Sequence, residues 1–282
     1  MKYFKNRYSI TDPSLKAFIP KKQLGQNFLV DQNIIHKIIA ACQFEKADTV
    51  LEIGSGLGAL TGHIASKVSN VIAIETDQRL CEELKKKYQG QNITVIKADF
   101  LKYNLNSLPL KIKAIGNLPF YISSAIIANI LENQKHFSSL CLTVQYEFGQ
   151  RLIAKVGTKD YSAFSCFVQY YSDPQMLFRI KNTSSKPAPK VESCFMKLSI
   201  REKPLYESKD TGFLFTIIRQ AFQQRRKTIT NSLTGLIGKK KLESALETLK
   251  INSQSRAENL DIKDYVALAD SFQGQKLVTE DM

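Results

Sequence analysis

The stretch Thr49-Val50-Leu51-Glu52-Ile53-Gly54-Ser55-Gly56-Leu57-Gly58 decides the fold of this 282-residue chain. It begins as a short apolar run, typical of a buried strand, and continues into a glycine-rich turn. Such a turn exposes backbone N–H groups, and its glycines let a ligand approach the main chain closely. We therefore predict a strand, a ligand-binding turn and a helix, although a generic nucleotide-binding turn or a purely structural turn fits the same residues.

Short apolar runs alternate with amphipathic stretches on both sides of this motif, which predicts a doubly wound α/β sheet. Further strands are expected at Val71–Glu75, Ile93–Ala98, Lys113–Gly116 and Leu140–Gln145. Helices are expected at Leu57–Lys67 and Asp77–Tyr88, from a cap at Asp31 to about Cys42, and from N-cap residues Ser123-Ser124.

The pattern changes in the second half of the chain. Gln175–Ile180 and Ser193–Ile200 are β-rich runs that predict a hairpin at the sheet edge, whereas Gly212–Leu236, Lys239–Leu249 and Ile262–Phe272 have helical periodicity. We predict three parts: a basic N-terminal arm (1–26), a Rossmann-like domain (27–200) and a small all-helical domain (201–282).

The chain is strongly basic, with 40 Lys and Arg against 26 Asp and Glu and a formal net charge of +14. Such a charge favours a polyanionic partner, with nucleic acid first, although a generally basic protein is the simpler alternative. No apolar signal-type segment follows Met1, and no apolar run approaches the length of a membrane span. We therefore expect a cytoplasmic protein with no membrane partner.

Cysteine and histidine usage argues against metal chemistry. The five cysteines are widely separated without a CxxC pair, and the chain has only three histidines. Neither a disulfide framework nor a metal site is therefore predicted.

Two acidic residues at strand ends indicate which ligand the glycine turn holds. The spacing Gly54-x-Gly56-x-Gly58 is tighter than a dinucleotide fingerprint and resembles the S-adenosylmethionine-binding turn of Rossmann-like methyltransferases. Glu75 ends the second strand, where a carboxylate can accept ribose hydroxyls, and Asp99 ends the third, where it can accept an adenine amino group. Each acid alone would be an ordinary cap or loop residue, but together they predict adenosine recognition.

The sequence Asn117-Leu118-Pro119-Phe120 predicts the chemistry. The Asn117 oxygen and the Leu118 carbonyl, held by rigid Pro119, can accept both hydrogens of a planar exocyclic amine, while Phe120 can stack on a flipped base. An isolated Asn-x-Pro loop would mean little. After a donor-binding turn, it predicts methylation of a base amine through orientation of the nucleophile.

Several ordered blocks give the chain its family resemblance: it resembles the KsgA-type small-subunit rRNA adenine N6,N6-dimethyltransferases. The blocks lie at residues 21–29 (KKQLGQNFL), Val50–Leu60, Asn117–Phe120, Gln145–Lys155, Lys159–Tyr161, Pro187–Ser193 and Ala221–Lys227. The resemblance implies that Asn27 and Leu29 join Gly54, Glu75, Asp99 and Asn117 around S-adenosylmethionine. It also implies dimethylation of two adjacent adenosines in the terminal hairpin of 16S rRNA, on an assembling small subunit, without a metal; we further expect a monomer.

The cations of the arm and of the helical domain are candidate RNA contacts. Arg225, Arg226 and Lys227 follow an apolar helical stripe, and consecutive helical residues cannot all face the core. A solvated face is the usual explanation of such a run. In a basic chain with this resemblance, we predict that these residues, together with Lys21 and Lys22, contact phosphates.

Two positions depart from the family pattern. Phe120 replaces the usual tyrosine and loses only a hydroxyl, whereas Ser185 stands where the family commonly has an aromatic residue. If that aromatic forms a second wall around the base, Phe120 is the principal stacking surface here.

Two alternative functions remain open from the sequence. One is the macrolide-resistance type of large-subunit rRNA dimethyltransferase, which shares the catalytic half. The other is a non-catalytic RNA- or DNA-binding assembly or transcription factor derived from the family.

Overall fold

The structure, a computed structural model, describes residues 26–272. The first half contains β1 (Phe28–Leu29), α1 (Gln32–Ala41), β2 (Thr49–Ile53), α2 (Thr61–Ala65), β3 (Asn70–Glu75), α3 (Gln78–Lys87), β4 (Ile93–Lys97), β5 (Ile112–Asn117), α4 (Ser123–Glu132) and β6 (Phe137–Gln145). The second half contains α5 (Tyr146–Leu152), α6 (Ala163–Tyr171), β7 (Ser172–Ile180), β8 (Ser185–Lys186), β9 (Ser193–Ile200), α7 (Thr211–Gln223), α8 (Ile229–Ile237), α9 (Lys239–Thr248) and α10 (Ile262–Asp270).

Contacts divide the described chain into two compact units, one of residues 26–149 and 174–200, the other of residues 150–173 and 201–272. The first unit contains a sheet with strand order β4-β3-β2-β5-β6-β9-β7. Strands β4 to β6 in that order pair in parallel, and β9 pairs antiparallel to β6. The predicted α/β sheet is confirmed.

The strand order places a crevice beside β2. The chain runs outward from β2 to β3 and β4, and then returns to β5 on the other side of β2. Residues 50–53 of β2 are all buried, as expected for a central parallel strand covered on both faces. Ligands bind outside the carboxyl ends of strands where the order reverses, which here lies between β2 and β5.

Helix termini in the first unit correct part of the sequence prediction. Asp31 caps α1 as predicted, since its carboxylate accepts from the N–H groups of Asn33 and Ile34. In contrast, Ile122 occupies the N-cap of α4, and the Ser123 hydroxyl instead donates to the Pro119 carbonyl.

The helix predicted at Leu57–Lys67 is wrong at its start, because α2 begins only at Thr61. Gly58 has a φ of +76°, outside the helical region, and its N–H donates to the Ser55 carbonyl. The glycine turn therefore takes up the first turn of the predicted helix.

The second unit is helical around a core that includes Leu214, Leu233, Leu242 and Tyr265. The single helix predicted at Gly212–Leu236 is wrong: α7 ends at Gln223, and α8 begins at Ile229. The break occurs because Lys227 N–H turns back to the Gln224 carbonyl, and the Thr228 side chain caps α8.

One segment belongs to a different unit from the one that the sequence predicts. The sequence predicts residues 150–173 within the sheet domain, whereas the structure places them in the helical unit. The physical reason is apolar burial, because Tyr161, Cys166 and Tyr170 lie in the same buried cluster as α7 and α10. Within residues 26–272, no helix has the length and apolar character needed to cross a bilayer.

Candidate functional site

The carboxyl ends of β2, β3, β4 and β5 meet around one cleft in the first unit. The cleft has a volume of about 910 Å³, counting its open mouth. Its lining contains every residue that the sequence analysis assigned to the cofactor, namely Asn27, Leu29, Gly54, Glu75, Asp99 and Asn117. The lining also includes Phe28, Leu101 and Ile122, apolar residues that the sequence analysis did not assign to the site. Glu75, Asp99 and Asn117 could be identified from the sequence because they lie at strand ends. Parallel strands present their carboxyl ends at one edge of a sheet, so these side chains meet there.

The glycine turn lines the cleft in a left-handed backbone conformation, which residues with a side chain adopt only under strain. Gly54 and Gly56 have φ values of +72° and +55°. A Cβ on Gly56 would lie 3.1 Å from a ring carbon of Phe28, so the absence of a side chain lets Phe28 cover the turn. The sequence analysis identified the glycines but assigned no role to Phe28.

Glu75 holds the turn in place. Its Oε2 accepts from Gly56 N–H at 2.8 Å, and its Oε1 accepts from the N–H groups of Thr76 and Asp77 at 2.8 and 2.9 Å. The residue is buried. A carboxylate offers about four acceptor positions, so capacity remains for a ligand hydroxyl.

A second carboxyl group, Glu52 in β2, lies beneath the cleft and is buried. The pKa of Glu52 is raised to about 7. Burial is the main cause and the charge of Glu75 adds to it, while the Thr61 hydroxyl, which donates to Oε2 at 2.6 Å, opposes the shift. The folded protein therefore retains this proton in a pH range where the unfolded chain has lost it.

We expect the Glu52→Gln variant to remove a pH-dependent loss of stability. Because the folded pKa, about 7, lies above the ordinary 4.5, the Glu52 contribution is complete below pH 4.5 and lost as pH rises through 7. The total change is about 3 kcal/mol. Urea unfolding followed by circular dichroism from acid to neutral pH measures it, with exposed Glu83→Gln as the control. Identical pH slopes for wild type and Glu52→Gln would contradict the assignment.

Asp99 lies at the exposed rim of the cleft. Its Oδ1 accepts from Leu101 N–H at 3.1 Å and caps a short 3-10 turn that begins at Phe100. Oδ2 makes no hydrogen bond within residues 26–272 and is available to a ligand donor. Leu101 adds an apolar surface to the same rim.

Asn117 is oriented by the N-terminal segment. Its Nδ2 donates to the Asn27 carbonyl at 2.9 Å, which leaves Oδ1 as the acceptor. The preceding Gly116 allows close packing beneath it, because a Cβ there would lie 2.6 Å from Leu118 Cδ2 and 3.0 Å from the Ile53 carbonyl. Asn117 thus ends β5 in a position fixed from two sides.

The turn after Asn117 leaves a second acceptor. The Pro119 carbonyl accepts from Ile122 N–H and the Ser123 hydroxyl, whereas the Leu118 carbonyl accepts no hydrogen bond from any described residue. The Leu118 side chain is buried, which fixes the turn to the core. Two oxygen acceptors, on Asn117 and Leu118, therefore belong to one rigid turn.

The family model described as "Ribosomal RNA adenine dimethylase" matches residues 18–274 of this chain. The chain belongs to this family. A relative from Moorella thermoacetica, named "Ribosomal RNA small subunit methyltransferase A", is 38% identical over 271 residues, which cover 92% of this chain and 94% of that protein. A protein of the same name from Streptococcus sanguinis is 36% identical, covering 96% and 98%.

Solved structures agree with this membership. A dimethyladenosine transferase from Plasmodium falciparum is 28% identical with a TM-score of 0.78, covering 87% of this chain and 97% of that one. The 23S rRNA methyltransferase ErmE is 26% identical with a TM-score of 0.66, covering 87% and 99%. The fold is therefore the Rossmann-like fold of class I methyltransferases with a helical C-terminal part, as predicted, and the protein is an rRNA adenine dimethylase by family.

The two departures from the dimethylase pattern have different surroundings. Phe120 is half-buried and does not line the cleft, whereas its neighbour Tyr121 is 63% exposed. Ser185 is buried in β8, where it pairs with Leu29 of β1. Phe120 remains our candidate stacking surface.

The predicted RNA contacts of the dimethylase chain separate into two groups. Arg226 and Lys227 are exposed, but they lie in the connector between α7 and α8 rather than in a helix. Arg225 is half-buried and forms an ion pair with Glu258. Lys21, Lys22 and the predicted arm, apart from Gln26, lie outside the described residues. In residues 26–272, no group of three or more His, Cys, Asp and Glu side chains is placed to hold a metal ion.

Proposed function

We propose that this protein transfers methyl groups from S-adenosylmethionine to N6 of two adjacent adenosines in the 3′-terminal hairpin loop of 16S rRNA. The substrate is the assembling small ribosomal subunit, and the enzyme acts as a monomer in the cytoplasm without a metal. The observation that carries the proposal is the position of Asn117 at the end of β5, on the wall of the cleft that the glycine turn and Glu75 form. Family membership supplies the reaction class.

The cleft residues fit an adenosyl cofactor. Glu75 can accept a ribose hydroxyl with the remaining lone pair of Oε2, and Asp99 Oδ2 can accept the adenine amino group. Phe28, Leu101 and Ile122 line the same cleft with apolar surface. When bound, S-adenosylmethionine supplies an electrophilic methyl group on a sulfonium.

The residues of the turn orient the nucleophile. The lone pair of an adenine N6 is delocalised into the ring, and two acceptors on its hydrogens localise that pair. Asn117 Oδ1 and the Leu118 carbonyl are such acceptors, and Phe120 provides a face for the flipped base. No strong general base is required, because the nitrogen loses a proton readily after alkylation. Orientation is therefore the main catalytic contribution.

The second candidate function is methylation of large-subunit rRNA. The likeness to the 23S rRNA methyltransferase ErmE, which covers 87% of this chain, supports it. The relatives named for the small subunit cover more of this chain, at 36–38% identity. A non-catalytic binder is disfavoured because the acceptors of Asn117 and Leu118 both remain available beside the cleft.

The test is to incubate the protein with labelled S-adenosylmethionine and unmethylated small subunits, and to map the label to individual nucleotides. We expect two labelled adenosines near the 3′ end of 16S rRNA, each carrying two methyl groups. Large subunits treated in parallel serve as the control. Label confined to large-subunit rRNA would support the second candidate, and no label on either would support a binding protein.

A further inference from the structure

Arg179, near the end of β7, lies over an aromatic ring. Its guanidinium carbon is 3.8 Å from the centre of the Tyr146 ring, and its Nη2 donates to the Tyr146 hydroxyl. Tyr146 is half-buried and Arg179 is exposed. The guanidinium therefore covers the outer side of the ring and turns its own outer face to solvent. We call these two residues the Arg179–Tyr146 platform.

The platform lies at the same edge of the sheet as the acceptor turn. Thr143 of β6 pairs with Asn117 at the end of β5, and β6 ends two residues later at Gln145, about 7 Å further along the strand. Tyr146 follows directly and begins α5. In the strand order, β6 lies on the side of β5 away from β2. The platform is therefore beside the acceptor turn, on the side away from the glycine turn.

Close packing fixes the position of the Tyr146 ring. The Tyr146 N–H donates to the Glu192 carbonyl at 3.0 Å, which ties the start of α5 to the residue before β9. Further along α5, a Cβ on Gly149 would clash with Cys194 Sγ, so the helix backbone lies directly on β9. The ring is thus held from two sides, and a ligand that stacks on the platform does not have to order it first.

A charged side chain on an edge strand often serves only to discourage pairing with other chains, and β7 is the last strand in the sheet order. Such a side chain would point to solvent, whereas Arg179 turns onto Tyr146. Within residues 26–272, Arg179 makes no ion pair, and its guanidinium makes one hydrogen bond, so most of its five N–H donors are available. This arrangement suits a ligand that offers both a planar face and negative charge, as RNA does.

The charge of Arg179 decides which base the platform suits. Methyl transfer moves positive charge from the sulfonium to N6 of the target adenine, and a guanidinium stacked on that base would oppose this charge as it develops. The neighbouring adenosine does not react, and it loses its stacking partner when the target base flips out. An unstacked base can stack on a guanidinium plane. The neighbouring base is therefore the better ligand.

We propose that the Arg179–Tyr146 platform stacks the adenosine adjacent to the one that is being methylated. The proposal rests on the proposed function, which gives the substrate two adjacent adenosines, and it adds two positioning residues to that reaction. While Asn117 holds one adenosine, the other occupies the platform. The two bases exchange places for the second dimethylation.

The first test compares variants of the platform on unmethylated small subunits. Arg179→Ala should lower kcat/KM about 10-fold, mainly through a higher KM, because one base loses its stacking surface. Arg179→Lys keeps the charge but not the plane, and it should lose nearly as much. Tyr146→Leu removes the supporting ring and should also raise KM.

The control for the first test is Lys46→Ala, which removes an exposed charge before β2, at the opposite edge of the sheet. It should keep wild-type kinetics. A wild-type kcat/KM for Arg179→Lys would show that charge alone acts at this position, and it would overturn the platform.

The second test identifies the base that the platform contacts. Small subunits are reconstituted with a 3′-terminal hairpin that carries an abasic ribose in place of one of the two adenosines, so only the other can be methylated. The wild type should lose about 10-fold in kcat/KM on this substrate, whereas Arg179→Ala should lose nothing further, because the two changes remove the same contact. Losses that multiply would show that Arg179 does not contact the neighbouring base, and they would overturn the proposal.

Failure of the proposed function is distinguishable from failure of the platform. A wild-type protein that places no methyl group on the two adenosines of intact small subunits would overturn both proposals. A wild-type protein that dimethylates both adenosines, with losses that multiply in the second test, would overturn the platform alone. Thermal unfolding by circular dichroism identifies any variant that fails to fold, and Arg179→Lys replaces Arg179→Ala in the second test if the alanine variant does.

Discussion

The Asn117→Ala variant is expected to lose about 10²- to 10³-fold in kcat for methyl transfer, the range for removing one group that orients or stabilises the reacting atoms. The reason is the loss of Oδ1, the side-chain acceptor that Nδ2 aims by donating to the Asn27 carbonyl at 2.9 Å. Single-turnover assays with saturating S-adenosylmethionine and unmethylated subunits measure the chemical step directly.

The matched control is Asn106→Ala, the same truncation at an exposed asparagine outside the cleft, and it should keep wild-type kcat. Asn117→Asp tests the donor, because it keeps Oδ1 but replaces the Nδ2 donor by a second carboxylate oxygen, which would face the Asn27 carbonyl. We expect it to lose activity as well. A near wild-type kcat for Asn117→Ala in folded protein would refute the role of Asn117 in orienting the amine.

For Glu75, we expect the alanine variant to bind S-adenosylhomocysteine about 100-fold more weakly, which corresponds to about 2.7 kcal/mol. Two effects combine: the ligand loses an acceptor, and Gly56 N–H loses the partner that shapes the turn. Thr76 and Asp77 lose their acceptor too, so the free energy of unfolding should fall by about 3 kcal/mol or more. Isothermal titration and urea unfolding measure the two quantities.

Glu75→Gln separates the two effects. It retains the shape of the side chain, but its amide group cannot accept at both ends, so at least one backbone N–H faces another donor. We expect a loss of affinity and of stability smaller than for alanine. Glu132→Ala, a truncation at an exposed position, is the control. Wild-type affinity for S-adenosylhomocysteine in Glu75→Ala would show that Glu75 holds neither the ligand nor the turn.

Predictions from the sequence were confirmed where the structure depends on neighbouring residues or on the regular succession of strands and helices. Asp31 caps α1 because a carboxylate before an apolar helical run accepts from the first free N–H groups. The polar strand ends Glu75, Asp99 and Asn117 line one cleft because consecutive parallel strands present their carboxyl ends at one edge. Neither inference required knowledge of distant contacts.

Predictions from the sequence were wrong where the structure depends on a contact with a residue far away in the chain. The sequence around Arg225 continues a helical stripe, but the chain leaves the helix at Gln224 to form a bridge from Thr228 to Arg256. The same pattern gave no sign that the Arg225 charge is matched by Glu258, 33 residues further along. Apolar burial likewise moved residues 150–173 into the helical unit.

The sequence alone determined the parallel α/β sheet, the glycine turn and the acceptor turn at Asn117, because apolar periodicity and strand-end position are properties of consecutive residues. Only the tertiary structure decided which atoms remain available to ligands. Glu75 is bonded to the glycine turn, Asn117 is aimed by the Asn27 carbonyl, and Arg225 is engaged with Glu258. The physical reason is that hydrogen-bond and ion-pair partners are chosen by proximity in space, which residues far apart in the chain acquire only on folding.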